Sequence, residues 1–379
     1  MTQDRAPVQD VNVSASAGGH DDDEEMPKMG ITRERALIFG LFVISAIAFL
    51  YVILPQLGDV KETWGRLDEG DPYWLAVAFG FQLAATFSYI AIFQDVHVPP
   101  GYPITYRESY QIMMASLAAT RLFAAGGAGG VALTAWALRR SGMPRRDVAE
   151  RMIAFLVLIY GVYMVALIVF GLGLRWGVFP GAAPYGVTVV PAYIALIAIL
   201  LFLALAFLPA NLGKRLSKSK KPTSKAGRLG RQLASGPERL GGGTRFALSK
   251  VRHPDWALLG TLGWWGFNVA ILWASFKAFG EAPPLAVCAQ AYFVGLLANL
   301  LPLPGGIGGV DAGMVGALLT FNVDPGLAVV AVLVYRGFAF WLPTLPGAVA
   351  YLQLRRTVAR WKEERAAGLR PETPAHVTI

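Results

Sequence analysis

The chain has 379 residues, of which 55% are hydrophobic and only 16% charged, and it carries a net charge of +9. Soluble chains carry about a quarter charged residues, so this balance excludes an ordinary soluble protein. A single cysteine, Cys288, excludes an internal disulfide framework, and the four histidines (His20, His97, His253, His376), all in tails or loops, lack metal-ligand spacing.

Residues 1–35 form a polar tail with the acidic run Asp21, Asp22, Asp23, Glu24 and Glu25, and read as disordered. The first apolar run, 36–55, follows this tail rather than a short basic start, so it reads as a retained anchor and not a cleaved signal peptide. Further runs without Asp, Glu, Lys or Arg cover 73–94, 152–174, 186–213, 256–276 and 282–310, and another, 325–352, is interrupted only by Arg336. Crossing about 30 Å of hydrocarbon takes about 20 apolar residues, so the chain is a polytopic, all-α transmembrane bundle.

The positive charge follows topology rather than nucleic-acid binding. Six crossings (36–55, 73–94, 152–174, 187–209, 256–276, 325–352) place 139–151, 214–252 and 355–379 on the cytoplasmic side with 5, 12 and 6 basic residues. The outside keeps only Lys61, Arg66, Arg175 and Lys277. This balance requires that 107–138 and 282–321 enter and leave on one side, as two re-entrant helical hairpins broken near a Gly-rich tip. Both termini are then cytoplasmic, and a bacterial plasma membrane is the expected location. The linker 214–252, rich in Lys, Arg, Gly and Ser, is expected to be flexible or to lie on anionic headgroups. The tail 357–379 follows the last span.

The tips resemble each other: LAATRLFAAGGAGGV at 117–131 and LLANLLPLPGGIGGV at 296–310 share Gly-Gly-x-Gly-Gly-Val. The pattern R-x-x-A-F follows each, as Arg151, Ala154 and Phe155 and as Arg336, Ala339 and Phe340. Helices starting at Pro144 and Pro325 would carry these arginines on similar faces. Repeats 73–174 and 256–352 are therefore expected to be inverted copies, an arrangement used in transporters that alternate access around a midplane site.

Candidate site residues follow from this frame. Gly126, Gly127, Gly129 and Gly130, with Gly305, Gly306, Gly308 and Gly309, either allow close helix packing or expose N–H groups where a half-helix begins and binds anions. Arg336 lies deep in an apolar span, at a cost of about 2.5–3.5 kcal/mol unless paired or hydrated. Arg151 and Arg121 rank behind it, because Arg151 in the first turns of its helix could snorkel to the headgroups. Asp311 could cap the second half-helix or pair with an arginine. Glu150 could pair with a neighbouring arginine, while Asn299 and Thr120, at equivalent repeat positions, could bond the carbonyls of broken helices. No catalytic constellation, nucleotide motif, metal site or cofactor is expected.

L-P-L-P-G-G-I-G-G-V-D-A-G from Leu301 to Gly313 and Y-R-x-F-x-F-W-L-P from Tyr335 to Pro343 resemble the lysylphosphatidylglycerol synthase transmembrane region, also called the flippase-like domain family. A-A-G-G-A-G-G, L-R-R-x-G-M from Leu138 to Met143, and Glu150 with Arg151 are similar to that family's other half, so the resemblance spans 36–356. It implies a membrane domain that binds or moves phospholipids, with the glycine tips, the embedded arginine and its neighbour Tyr335 at the headgroup site. Two departures matter. Ala124, Ala125, Gly126 and Gly127 stand where many relatives have Pro-x-Arg-x-Gly-Glu, and only about 25 residues follow the last helix, so lipid aminoacylation is not expected of this chain alone. The expected function is a flippase-like carrier of an anionic phospholipid or polyprenyl-phosphate lipid, with a homo-oligomer or an enzyme partner left open. A lipid-binding scaffold for a separate enzyme, or a small-anion transporter, would use the same residues.

Overall fold

The computed structural model describes residues 69–122, 128–206, 244, 246–248, 256–300 and 308–369. Among these it is built from helices: α1 (Pro72–His97), α2 (Tyr106–Leu122), α3 (Ala128–Arg140), α4 (Arg145–Arg175), α5 (Tyr185–Ala206), α6 (Trp256–Phe279), α7 (Leu285–Leu296), α8 (Gly309–Thr320), α9 (Pro325–Arg336) and α10 (Leu342–Ala366). A 3₁₀ turn (Leu297–Leu300) extends α7, and a π-helical turn (Gly337–Trp341) joins α9 to α10 as one rod. Five stretches, namely α1, α4, α5, α6 and the α9–α10 rod, are long and apolar enough to cross a membrane. They match five of the expected spans, and the sixth, 36–55, lies outside the described residues.

Each of the two segments expected to form a hairpin holds a pair of shorter helices. In the first, α2 (17 residues) packs on α3 (13 residues), and in the second α7 packs on α8, with 12 residues each. Twelve residues rise about 18 Å, well short of the hydrocarbon thickness. Small residues let the arms of each pair touch. A Cβ at Gly130 would come within 2.4 Å of the Ser116 carbonyl oxygen, and one at Gly295 within 2.8 Å of the Met314 nitrogen. Such close approach is how helices associate where lipid removes the hydrophobic drive.

The hairpins open toward opposite ends of the bundle. At one end α1 begins, where Asp71 N–H donates to the Ala278 carbonyl near the end of α6 (2.8 Å). There also Gly280, ahead of α7, faces Leu327 in the first turn of α9. At the other end the open mouth of the α2–α3 hairpin meets the last turns of α10: Trp361 Nε1 donates to Glu108 Oε1 (2.8 Å), and Arg365 Nη1 to the Arg140 carbonyl (2.5 Å).

Each hairpin also packs on the opposite half of the chain. α2 lies along α10, with Gly347 against the Met114 carbonyl, while α7 lies along α4, where the Tyr163 hydroxyl donates to the Phe293 carbonyl (2.9 Å). α1 and α6 pair with each other at the centre. One contiguous core runs through α4, α6, α7, α8 and α9, and a second through α2, α3 and α10.

One sequence expectation is corrected. His97 is not in a loop: it is the last residue of α1, 1% exposed, stacked on Phe93 at 4.4 Å between ring centroids, with Nδ1 3.3 Å from the Phe93 carbonyl.

Candidate functional site at the joint of the last rod

The π-helical turn follows from the sequence around it. An α-helical carbonyl is satisfied by the N–H four residues on, and for Ala339 that position is Pro343, which has none. The helix widens over Gly337–Trp341, and Arg121, from the end of α2, supplies a donor to the Ala339 carbonyl. Its Nη2 donates to the Ala339 carbonyl at 2.9 Å, and its Nη1 to the Phe340 carbonyl at 2.5 Å and to Thr344 Oγ1 at 3.2 Å. Thr344 Oγ1 in turn donates to the same Phe340 carbonyl at 2.6 Å. The guanidinium also lies over the Phe340 ring, 4.8 Å from its centre.

From the other side comes the second hairpin. Gly308 has φ +79°, a conformation that suits glycine, and turns the chain into α8. Asp311, in the first turn, accepts from the Gly308 N–H through Oδ2 at 2.9 Å and thereby caps the helix. Its other oxygen, Oδ1, lies 2.5 Å from Arg336 Nε, and the two side chains are 18% and 13% exposed. The carboxylate thus fills both roles the sequence left open. The Arg336 guanidinium sits 4.6 Å from the centre of the same Phe340 ring that Arg121 covers. Arg336 Nη2 is buried without a hydrogen-bond partner among the described residues.

The ends of both hairpins therefore converge on one turn, halfway along the apolar stretch of the α9–α10 rod. Two guanidinium groups and one carboxylate meet there around Phe340. Behind them Tyr335 is buried, its hydroxyl 3.4 Å from Asn268 Oδ1 on α6 and its ring edge-on to Tyr292.

The other candidates divide. Gly308 and Gly309 are half-buried at the start of α8, beside the Asp311–Arg336 pair, whereas Gly129 is half-buried and Gly130 buried at the start of α3. Gly130 serves close packing, since a Cβ there would meet Thr120 Oγ1. Gly126, Gly127, Gly305 and Gly306 lie outside the described residues. Asn299 is exposed in the 3₁₀ turn, and Thr120 bonds its own helix, donating to the Ser116 carbonyl at 2.9 Å. Glu150 pairs with Arg146 at 2.9 Å on the surface, away from the convergence.

Arg151 does not reach for the headgroups, as its position near the helix start had allowed. It is 8% exposed, and its Nη1 donates to the Val96 carbonyl at 2.9 Å, with Phe246 5.5 Å away. The α-helical partner of that carbonyl would be Pro100, again without an N–H. Arg151 and Arg121 thus do the same task, satisfying a carbonyl orphaned by a proline four residues on. Arg336, which holds the same place as Arg151 in the R-x-x-A-F pattern, has a carboxylate as its partner instead.

Sequence reasoning missed Phe340 as a shared platform and Thr344 as a second donor to its carbonyl; the usable signal was Pro343 inside an apolar run. It also missed Glu108, 7% exposed, which the pattern Thr105-x-x-Glu108 marks as a capping box. Among the described residues no group of three His, Cys, Asp or Glu side chains could hold a metal ion.

Residues 37–347 match the family described as the lysylphosphatidylglycerol synthase TM region. A UPF0104 membrane protein of Methanothermobacter thermautotrophicus is 34% identical over 91 residues, 24% of this chain and 26% of that protein. A second UPF0104 membrane protein, from Methanocaldococcus jannaschii, is 28% identical over 97 residues, 25% of this chain and 29% of its own. The chain thus matches just over a quarter of the length of these relatives. No solved structure matches it.

Proposed function

This chain belongs to the lysylphosphatidylglycerol synthase transmembrane-region family, a multi-pass membrane protein, and we propose that it carries an anionic lipid headgroup across the bilayer. One observation carries the reading. At the turn where the hairpins converge, Arg336 is paired with Asp311 while Arg121 donates only to neutral acceptors among the described residues. Two cations against one carboxylate leave a positive excess in apolar surroundings, and a buried charge without a counter-charge costs several kcal/mol. A lipid phosphate supplies that counter-charge.

The start of α8 adds to the attraction. Its N–H groups and about half a positive charge face the same region, and Asp311 offsets only part of it. Arg336 Nη2, without a partner among the described residues, is the donor best placed to take a phosphate oxygen. The hairpins open toward opposite ends of the bundle, which fits a headgroup held at the Arg336 turn passing from one leaflet to the other. This supports an inverted repeat working by alternating access. The charge balance of the loops favours cytoplasmic termini in a bacterial plasma membrane, and the protein acts in this reading as a carrier rather than a catalyst, with membrane lipids as its partners.

The test is reconstitution of the full chain in vesicles containing fluorescent phosphatidylglycerol in both leaflets. Faster exposure of the probe to an external quencher than in protein-free vesicles is expected. Equal rates across several anionic lipids would overturn the proposal.

A further inference from the structure

A concavity lined by polar and charged residues lies at the far end of the bundle from the mouth of α7 and α8. Thr105, Arg107, Glu108 and Gln111 of the start of α2, together with Gln353, Arg356, Thr357 and Arg360 of α10, line a cavity of about 700 Å³, within the usual size of ligand sites. Its polar wall is firmly built. Glu108 accepts from Thr105 N–H (2.9 Å), Thr105 Oγ1 (3.1 Å), Trp361 Nε1 (2.8 Å) and Arg360 Nη2 (2.7 Å). Thr357 Oγ1 donates to Gln111 Oε1 at 2.7 Å. Arg360 is held further by Glu364 at 3.3 Å, so its charge is already answered.

Arg107 and Arg356 differ from Arg360. Both are exposed, and neither makes a hydrogen bond or ion pair among the described residues. The cavity therefore carries two uncommitted guanidinium groups on facing helices. Its depth is also informative: the apolar stretch of the rod, free of charge except for Arg336, ends at Leu354, and Arg355 and Arg356 follow directly. Arg356 accordingly stands at the level of lipid phosphates rather than in the hydrocarbon.

We infer that the cavity between the start of α2 and the last turns of α10 binds a phosphate group through Arg107 and Arg356, as an entry site separate from the Arg336 turn. Guanidinium forks match phosphate oxygens two at a time, and the firmly hydrogen-bonded Glu108–Arg360 wall holds together the two helices that carry them. The phosphate belongs either to a lipid headgroup of that leaflet or to a soluble phosphate ester. The inference stands on this cavity alone and does not depend on transport.

Native mass spectrometry of the full chain in detergent tests it, with dioleoylphosphatidic acid, dioleoylglycerol and glycerol 3-phosphate as probes. Phosphatidic acid is expected to bind and dioleoylglycerol not. Arg107→Gln/Arg356→Gln should weaken the binding of one phosphatidic acid per chain by about tenfold or more, since loss of about 1.4 kcal/mol suffices for that. Arg336→Gln should leave that binding in place, which separates this site from the central one. Displacement of phosphatidic acid by glycerol 3-phosphate at similar concentration would support the same phosphate site and assign it to soluble esters; no displacement would assign it to lipid. Unchanged phosphatidic acid binding in the double variant would overturn the inference. Both arginines are exposed and unbonded, so an unchanged unfolding temperature is expected, and Arg107→Lys/Arg356→Lys provides a variant of unaltered charge.

Discussion

Arg336 Nε lies 2.5 Å from Asp311 Oδ1, and the other oxygen of that carboxylate accepts from the Gly308 N–H that opens α8. One carboxylate thus ties the second hairpin to the rod and starts its own helix. Removing Asp311 does two kinds of damage at once, while removing Arg336 leaves the cap intact.

This asymmetry makes a prediction for stability. Asp311→Asn should destabilise the protein more than Arg336→Gln, because it strands a guanidinium in apolar surroundings and weakens the cap. In a double-mutant cycle read by thermal unfolding in detergent, the two changes should couple by about 0.5–3 kcal/mol. Additive effects would show that the pair contributes nothing to stability.

Arg121 and Pro343 should be coupled in a different sense. Arg121→Gln leaves the Ala339 carbonyl without its donor, at a cost of about 1.5–3 kcal/mol for a hydrogen bond from a charged group. Pro343→Ala restores a backbone N–H at the position that would serve that carbonyl in an α-helix. Arg121→Gln is therefore expected to cost less in the Pro343→Ala background than in the natural chain, again by thermal unfolding. An equal cost in both backgrounds would show that Arg121 does not act by satisfying this carbonyl.

Close approach within the hairpins predicts a sharp contrast among glycines. At Gly130 and Gly295 a Cβ would strike the facing arm, with backbone atoms of Ser116 and Met314 at 2.4 and 2.8 Å, while at Gly316 it meets nothing within 4 Å. Gly130→Ala and Gly295→Ala should each destabilise by about 1–3 kcal/mol through overpacking. Gly316→Ala should be neutral or slightly stabilising, because alanine favours the helix. The unfolding temperatures of the three variants check this directly.

The first hairpin is legible in the sequence for a reason that does not depend on its packing. The expectation that the positive loop at 139–151 stays inside asks 107–138 to turn back, and the two packed helices of that stretch end within two residues of its bounds. Asp311 and Arg336 were legible as an acid beside a helix start and a base inside an apolar run, each requiring a partner. What escaped were the tertiary acceptors. Arg121 and Arg151 bond the carbonyls of Ala339 and Val96, and nothing local to either arginine points to a proline elsewhere in the chain. The repeat also suggested more likeness between Arg151 and Arg336 than the packing allows, because sequence alignment gives the face of a helix but not what lies opposite.

Sidedness supplies a further prediction. With Cys288 replaced by Ser, cysteines at Arg107 and Arg145 should be shielded from a membrane-impermeant maleimide in intact cells, and one at Arg175 should be labelled. All three positions are exposed to a reagent that reaches them. Ser141, between α3 and α4, is unsuitable because it is 1% exposed. Labelling of Arg107→Cys and Arg145→Cys from outside would contradict the cytoplasmic mouth of the first hairpin.

The central claim is that the Arg336 turn holds a lipid phosphate during passage, and lipid exchange in vesicles by matched variants tests it most directly. With fluorescent phosphatidylglycerol, the natural chain should exchange probe between leaflets faster than Arg336→Gln, while Arg146→Gln, at the exposed surface pair with Glu150, should match the natural chain. Rates for Arg336→Gln equal to the natural chain, with both proteins folded and present in equal amounts, would contradict it.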